Sequence, residues 1–239
     1  MRYGGDTLSN MSIKLENDRI FKDGSFPDMR SETVEKLPEP AVIQRSKPYR
    51  IEENTVRETT VQSILRNAGD KRVIALNFAN AMYAGGGYVL GGNAQEESLC
   101  RASLLYYTIK TQKKYYRSNR LHVFPNYTDV MIYSENVPVI RNDRGERLEK
   151  PMYCGFVTCP AVNRTFAKFM MSGRKIDRIM RTRIKRIITL AVMKKPDVLV
   201  LGAFGCGMFG NKREKVLPVF EEMINSYVPE DIEVVFAIP

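Results

Sequence analysis

RVIALNFANAMYAGGGYVLGGNAQEESL, residues 72–99, runs from an unbroken apolar stretch through a glycine-rich bend to two adjacent carboxylates. "RVIALNFA" shows no alternation of apolar and polar residues, the pattern of a strand buried on both faces of a parallel or mixed sheet. Beyond the bend, Asn93 is placed to cap a helix reaching about Lys110, with Glu96 as its capping partner. Leu99, Ala102, Tyr106 and Ile109 form the apolar stripe of that helix. Strand, glycine loop and helix in this order are the repeating unit of an α/β fold.

The flanking sequence repeats the theme. "NTVRETTVQSILRNAGD" predicts a helix capped at Asn54 or Thr55 that presents Val61, Ile64, Leu65 and Ala68 to a core before Gly69 stops it. "LHVFPNYTDVMIYSENVPVIRND" holds two or three short strands with a turn at Asn142–Gly145, and "MYCGFVTCPAV" is a further strand. "RKIDRIMRTRIKRIITLAVMKK" is the clearest helix, apolar at Ile176, Ile179, Met180, Ile184, Ile187, Ile188 and Ala191 and mostly basic opposite. "DVLVLGAFG" gives another buried strand, and Pro218 starts or kinks the helix within "KREKVLPVFEEMINSYV". "IEVVFAI" closes the chain as a strand. The expected architecture is a three-layer α/β/α sandwich around a mixed, mostly parallel sheet, occupying residues 55–239. Residues 1–54, rich in Gly, Pro, Ser and charge, read as an irregular extension packed on it, with short strands at most.

Composition narrows the function. With 44% hydrophobic residues in 239, the chain suits one sizeable core. Val198–Leu201 is far too short to cross a bilayer, and "MRYGGDTLSN" lacks the apolar stretch of a secretory signal, so a cytoplasmic location is expected. Cys100, Cys154, Cys159 and Cys206 are scattered, and His122 is the only histidine. They read as free thiols and a structural imidazole, with no metal set and no cofactor implied. The formal charge is +10, and the whole basic excess lies beyond residue 70, where the glycine loops are. An anionic substrate or a nucleic acid is drawn to that part alike.

"GAFGCGMFGN", Gly202–Asn211, is a second glycine loop leading from a buried strand toward a helix. Such backbone turns its N–H groups inward as a nest for phosphate. It has neither the Gly-Lys-Ser/Thr of a P-loop nor dinucleotide spacing, which removes the main support for ATP hydrolysis and hydride transfer. Phe204 and Phe209 offer aromatic faces to a base or ribose, or simply fill the core.

Taken together, "LNFANAMYAGGGYVLGGNAQEESL" and "VLVLGAFGCGMFGN" resemble the microbial type of poly(ADP-ribose) glycohydrolase, a branch of the macrodomain superfamily. The signature is a triple glycine, Gly85-Gly86-Gly87, followed by Gln95-Glu96-Glu97, and the likeness spans roughly residues 55–238. It implies a macrodomain-like sandwich that binds ADP-ribose in a cleft and cuts the ribose–ribose bond of poly(ADP-ribose), releasing ADP-ribose as product. Carried over by position, Glu97 is the catalytic acid/base and Glu96 holds hydroxyls of the departing ribose. Asn80 contacts the ribose at the scissile bond and Gln95 joins the substrate contacts. Gly85, Gly86 and Gly87, with Gly205, Cys206, Gly207 and Gly210, enclose the diphosphate, and Phe209 packs on the adenosine side. Ala84 stands where the family often has proline, and Lys212-Arg213 where it commonly has Asp-Pro.

Helix geometry agrees with a division of labour between the acids. Neighbours on a helix point about 100° apart, so Glu96 and Glu97 do not flank one bond as an opposed glycosidase pair does. A single carboxyl must protonate the leaving oxygen and then deprotonate the incoming water. The helix N-terminus favours the ionised form, whereas bound diphosphate and desolvation favour the protonated one. The alternatives are a non-catalytic ADP-ribose-binding module and a hydrolase of ADP-ribose linked to protein or nucleic acid. A monomer with no membrane partner is expected.

Overall fold

The computed structural model describes residues 9–24, 26 and 29–239. The reading of "MRYGGDTLSN" as lacking a signal, and part of the irregular "FPDM", lie outside them. Helices α1 (Asn10–Lys22), α2 (Thr60–Asn67), α3 (Gln95–Ala102), α4 (Leu105–Ile109), α5 (Lys113–Leu121), α6 (Arg164–Ala167), α7 (Gly173–Met193) and α8 (Arg213–Tyr227) surround one sheet. Its strands are β1 (Arg30–Val34), β2 (Thr55–Val56), β3 (Val73–Phe78), β4 (Met131–Arg141), β5 (Arg147–Cys159), β6 (Val198–Leu201) and β7 (Glu233–Ala237), in the order β1-β4-β5-β3-β6-β7-β2. Pairing is antiparallel at the β1–β4–β5 end and parallel from β5 through β2.

Period-two alternation divides the strands between two cores. Ile74 and Leu76 of β3, Leu199 and Leu201 of β6, and Val234 and Phe236 of β7 pack with Ile176, Ile184 and Ile188 of α7 and Val216, Phe220 and Ile224 of α8. Their neighbours Val73, Ala75, Val198, Val200 and Val235 face the opposite way, onto Val61 and Ile64 of α2, Leu99 of α3 and Tyr115 of α5. Apolar runs without alternation are therefore what a sheet with two covered faces demands.

Several expectations need correction. Residues 1–54 are not simply irregular, because they contain α1 and the edge strand β1, and the chain then supplies the other edge as β2. The helix expected from Asn54 or Thr55 begins at Thr60, capped by Thr59 in a reciprocal box with Gln62. The helix expected from Asn93 to Lys110 is two helices. Between them Ser103 forms an isolated bridge with Val139, and Leu104 N–H donates to the Pro138 carbonyl at 3.0 Å, so the chain stops to pair with β4. The two or three short strands after Leu121 are one long strand, β4, irregular around Asn136, whose φ is 52°. Pro218 lies inside α8 rather than at its start.

Helix α1 is fastened by buried polar groups as well as by the apolar side chains of Ile13, Ile20 and Phe21. Asn17 is fully buried; its amide donates to the Arg101 carbonyl at 2.9 Å, and its oxygen accepts from Arg141 Nε at 3.0 Å. Arg141, equally buried, also reaches the Gly145 carbonyl at 2.9 Å and the Glu16 carboxylate at 2.8 Å. Truncating one member strands the others away from water. Asn17→Leu is expected to lower unfolding free energy by about 2 kcal/mol or more, measured by urea titration. A loss below about 0.5 kcal/mol would show that α1 contributes little to the fold.

Candidate active site

Strand β3 is flanked by β5 and β6, both parallel to it, so the loops leaving β3 and β6 emerge side by side at one end of the sheet. Between them lies a cleft of about 540 Å³, within the range of small-molecule sites. Phe78–Asn80, Asn93–Leu99, Ala203, Gly205–Phe209, Arg213 and the terminal Ala237–Pro239 line it, with Thr59 and Asp143 at its rim.

The first turn of α3 is built on the end of β3. Gln95 accepts from Phe78 N–H at 2.9 Å and donates to the Leu76 carbonyl at 2.9 Å, continuing the ladder of the strand with a side chain. Glu96 is buried and accepts from Asn80 N–H at 2.7 Å and from the Asn77 amide at 3.2 Å. Glu97 turns elsewhere. Its Oε1 accepts from Gly87 N–H at 2.7 Å, while Oε2 is buried with no partner. Because these side chains are engaged with other segments, the Asn93–Glu96 capping box does not form. Ala94 is the N-cap, without a side-chain bond, and Asn93 instead accepts from Arg101 at 2.6 Å.

The backbone of Gly86 explains the triple glycine. Its φ is +54°, and a Cβ there would lie 2.5 Å from Glu97 Oε1 and 3.2 Å from Glu96 Oε2. Only a bare α-carbon admits both carboxyls beside it. In the second loop Gly205, φ +70°, would meet the Ala161 side chain at 2.4 Å. Asn211 holds that loop, donating to the Val162 and Gly205 carbonyls at 2.8 and 3.2 Å and accepting from Arg164 at 3.3 Å.

Of the residues singled out from sequence, Glu97, Glu96, Asn80, Gln95, Gly205, Cys206, Gly207 and Phe209 are brought together around the cleft. Gly85, Gly86, Gly87 and Gly210 are not among its lining residues. Gly85 backs onto Tyr106 and Cys100, Gly86 and Gly87 lie against Glu97, and Gly210 packs on Thr165. Phe204 is fully buried, a core residue. Burial pushes the Cys206 thiol up to about 11, which keeps it protonated, and His122 pairs with Asn126 at 3.2 Å. Arg213, one of the two bases standing where the family commonly has Asp-Pro, lines the cleft, and sequence reasoning missed Asn77, Thr59, Asp143 and Arg101. Asn77 had a signal, a lone amide inside the apolar run "VIALNF", since a polar side chain buried there requires a partner. Thr59 and Asp143, hydrogen-bonded to each other, meet only through folding. Among the described residues no cluster of His, Cys, Asp and Glu suits a metal ion, and no helix is long and apolar enough to cross a membrane.

Burial lifts Glu96 to about 8, against the opposing pull of the N–H groups of Asn80 and Gly85 and the Asn77 amide, with the Glu97 charge adding to the rise. The folded protein thus keeps a proton at Glu96 that the unfolded chain, with an ordinary value of 4.5, releases. Stability contributed here falls as pH climbs from about 4.5 to about 8. Glu96→Gln is expected to gain relative to the parent across that window by about 2 kcal/mol or more, read from unfolding titrations at several pH values. Parallel pH profiles for the two proteins would mean that Glu96 is ionised in the fold.

Comparison with known proteins adds to this geometry. Residues 10–142 match the family described as microbial-type PARG, catalytic domain. Among solved structures, a poly(ADP-ribose) glycohydrolase from Thermomonospora curvata superposes with a TM-score of 0.83 at 30% identity, covering 96% of this chain and 93% of that one. Its complex with the inhibitor ADP-HPD gives 0.78 at 29% identity, covering 96% and 92%. A poly(ADP-ribose) glycohydrolase from Deinococcus radiodurans in complex with ADP-ribose gives 0.70 at 33% identity, covering 77% and 74%. No curated protein matches.

Proposed function

The chain belongs to the microbial-type PARG family, and from that premise we propose that it hydrolyses the ribose–ribose bond of poly(ADP-ribose) with Glu97 as its general acid/base. The observation that carries the assignment is the buried, unpartnered Oε2 of Glu97 at the cleft wall, steadied through Oε1 by Gly87 N–H. A carboxyl held through one oxygen and unpaired at the other has an oxygen in reserve for a reacting atom.

In this reading the terminal ADP-ribose unit occupies the cleft, its diphosphate facing the backbone of Gly205–Phe209 and the Arg213 side chain. Glu97 gives its proton to the glycosidic oxygen as the ribose C–O bond breaks and positive charge spreads over the sugar carbon and ring oxygen. Water adds to that carbon and loses a proton to the same carboxylate, which restores the acid. Glu96 has a different task. Anchored to Asn77 and Asn80, it fixes the backbone at the end of β3, and its buried carboxyl faces ribose hydroxyls as a neutral hydrogen-bonding group.

Glu97→Gln keeps an oxygen for Gly87 N–H but has no proton to transfer. Its kcat for release of ADP-ribose from the polymer is expected to fall by about 10³-fold, with ADP-ribose affinity by calorimetry within about threefold of the parent. Full turnover in this variant would remove Glu97 from the mechanism, and a parent protein that binds ADP-ribose but releases none from polymer would be a binding module instead. Gly86→Ala introduces a Cβ into the carboxyl pair at a positive φ. Its kcat should drop at least 10²-fold from displacement of Glu97, with a smaller change in affinity.

A further inference from the structure

The cleft is continued by a second surface. Thr165 at the start of α6 donates its N–H to the Phe209 carbonyl at 3.3 Å and its hydroxyl to the Met208 carbonyl at 3.2 Å. Asn163 N–H donates to the Pro125 carbonyl at 3.0 Å, and Arg120 reaches the Met82 carbonyl at 3.3 Å. Helix α6 is therefore bonded to the second glycine loop at Met208 and Phe209 and to the segment after α5, and α5 itself to the first loop at Met82.

This surface exposes what a protein normally hides. Phe166 and Phe169 are 62% and 79% exposed, Phe124 is half exposed, and Tyr83 on the first loop is 63% exposed. Cations stand among the rings. Lys168 Nζ is 5.0 Å from the centroid of Phe169, and Arg174 and Lys175 are exposed at the start of α7. Among the described residues none of these three cations takes part in an ion pair, and the one acid of the turn that follows, Asp177, is held by Arg164 and Lys215. Exposed aromatic faces interleaved with unpaired cations fit a ligand with flat bases and phosphates. Neither an apolar protein face nor a simple anion uses both features.

We propose that this surface binds the next ADP-ribose unit of the polymer, the one beyond the scissile bond, with its adenine stacked on an exposed phenylalanine and its diphosphate on Lys168, Arg174 and Lys175. The proposal rests on the glycohydrolase reading. With one unit seated in the cleft, the covalently attached neighbour must leave over the rim at the Asn80 end, where Tyr83 N–H bonds Asn80 and Arg120 bonds the Met82 carbonyl, beside this aromatic and cationic strip. Two weak contacts on a tethered unit raise polymer affinity without touching the cleft.

The test compares polymer and monomer binding. In the Glu97→Gln background, Phe166→Ala/Phe169→Ala and, separately, Lys168→Ala/Arg174→Ala are measured by anisotropy against labelled poly(ADP-ribose) and by calorimetry against ADP-ribose. All four side chains are exposed, and thermal melting confirms that the variants fold. Each double variant is expected to weaken polymer binding about tenfold and leave ADP-ribose binding unchanged, and the lysine/arginine pair to flatten the salt dependence as well. Unchanged polymer affinity in both overturns the proposal, as does equal loss for polymer and monomer. A single-stranded oligo(dA) that displaces polymer from the parent at equal concentration also overturns it, because the strip is then a nucleic-acid surface. Failure of the wild-type protein to release ADP-ribose from polymer counts against the glycohydrolase reading and is seen independently of these binding constants.

Discussion

The site depends on the splice between the end of β3 and the first turn of α3. Gln95 extends the strand's hydrogen bonding into the helix, and Glu96 closes onto Asn77 and Asn80 immediately beyond. Two successive side chains are thereby committed to the strand, and helical geometry rotates the third away from both. Glu97 emerges toward the cleft because its predecessors fix the turn it stands on. The three consecutive polar residues do three different things, and the glycines opposite them are spacing as much as flexibility, since Gly86 leaves the carboxyls the room a methyl group would take.

This splice also shows why a local rule misreads the region. Asn93 followed by Glu96 satisfies the pattern of a capping box, yet the structure sends Glu96 into the sheet and gives Asn93 to Arg101. A capping box contributes a bond or two to the backbone nearby, whereas Glu96 receives the Asn80 N–H and shares the buried amide of Asn77 with the Thr158 hydroxyl. Tertiary demand outweighs the local alternative. The strands β3, β6 and β7 and the helix α7 were legible because burial on two faces or one imposes a period on the sequence. Edge strands β1 and β2 carry no such imprint, being short and half exposed.

Buried charge was the other part hidden from sequence. Arg183 lies in the basic tract of α7, which reads as a solvated face, yet it is buried, bonded to Asp129 at 2.7 Å and to the Pro160 carbonyl at 2.9 Å. Arg141 is likewise interior, with Asn17 as its partner from the first helix. Most of their partners are remote in the chain, so periodicity holds no trace of them, and each guanidinium is held inside by those partners. The same reasoning makes α1 part of the catalytic domain's frame: its Asn17 reaches the carbonyl of Arg101, and Arg101 in turn clasps the loop at Gly92 and Asn93 just ahead of the motif.

A cleft that takes a diphosphate while carrying two adjacent carboxyls faces an electrostatic conflict. Burial relieves half of it by holding Glu96 protonated near neutral pH, so that Glu96 adds no negative charge to the cleft. Attraction then acts on two scales. The excess of 37 basic over 27 acidic residues draws a polyanion from a distance, where salt screens it. In the proposed reading, backbone N–H groups of the second glycine loop act at contact with the diphosphate, where they need no counter-charge, and Arg213 joins them from the cleft wall. Spreading most of the positive charge over the surface, away from the paired carboxyls, lets the protein attract an anionic polymer without crowding the cleft with cations.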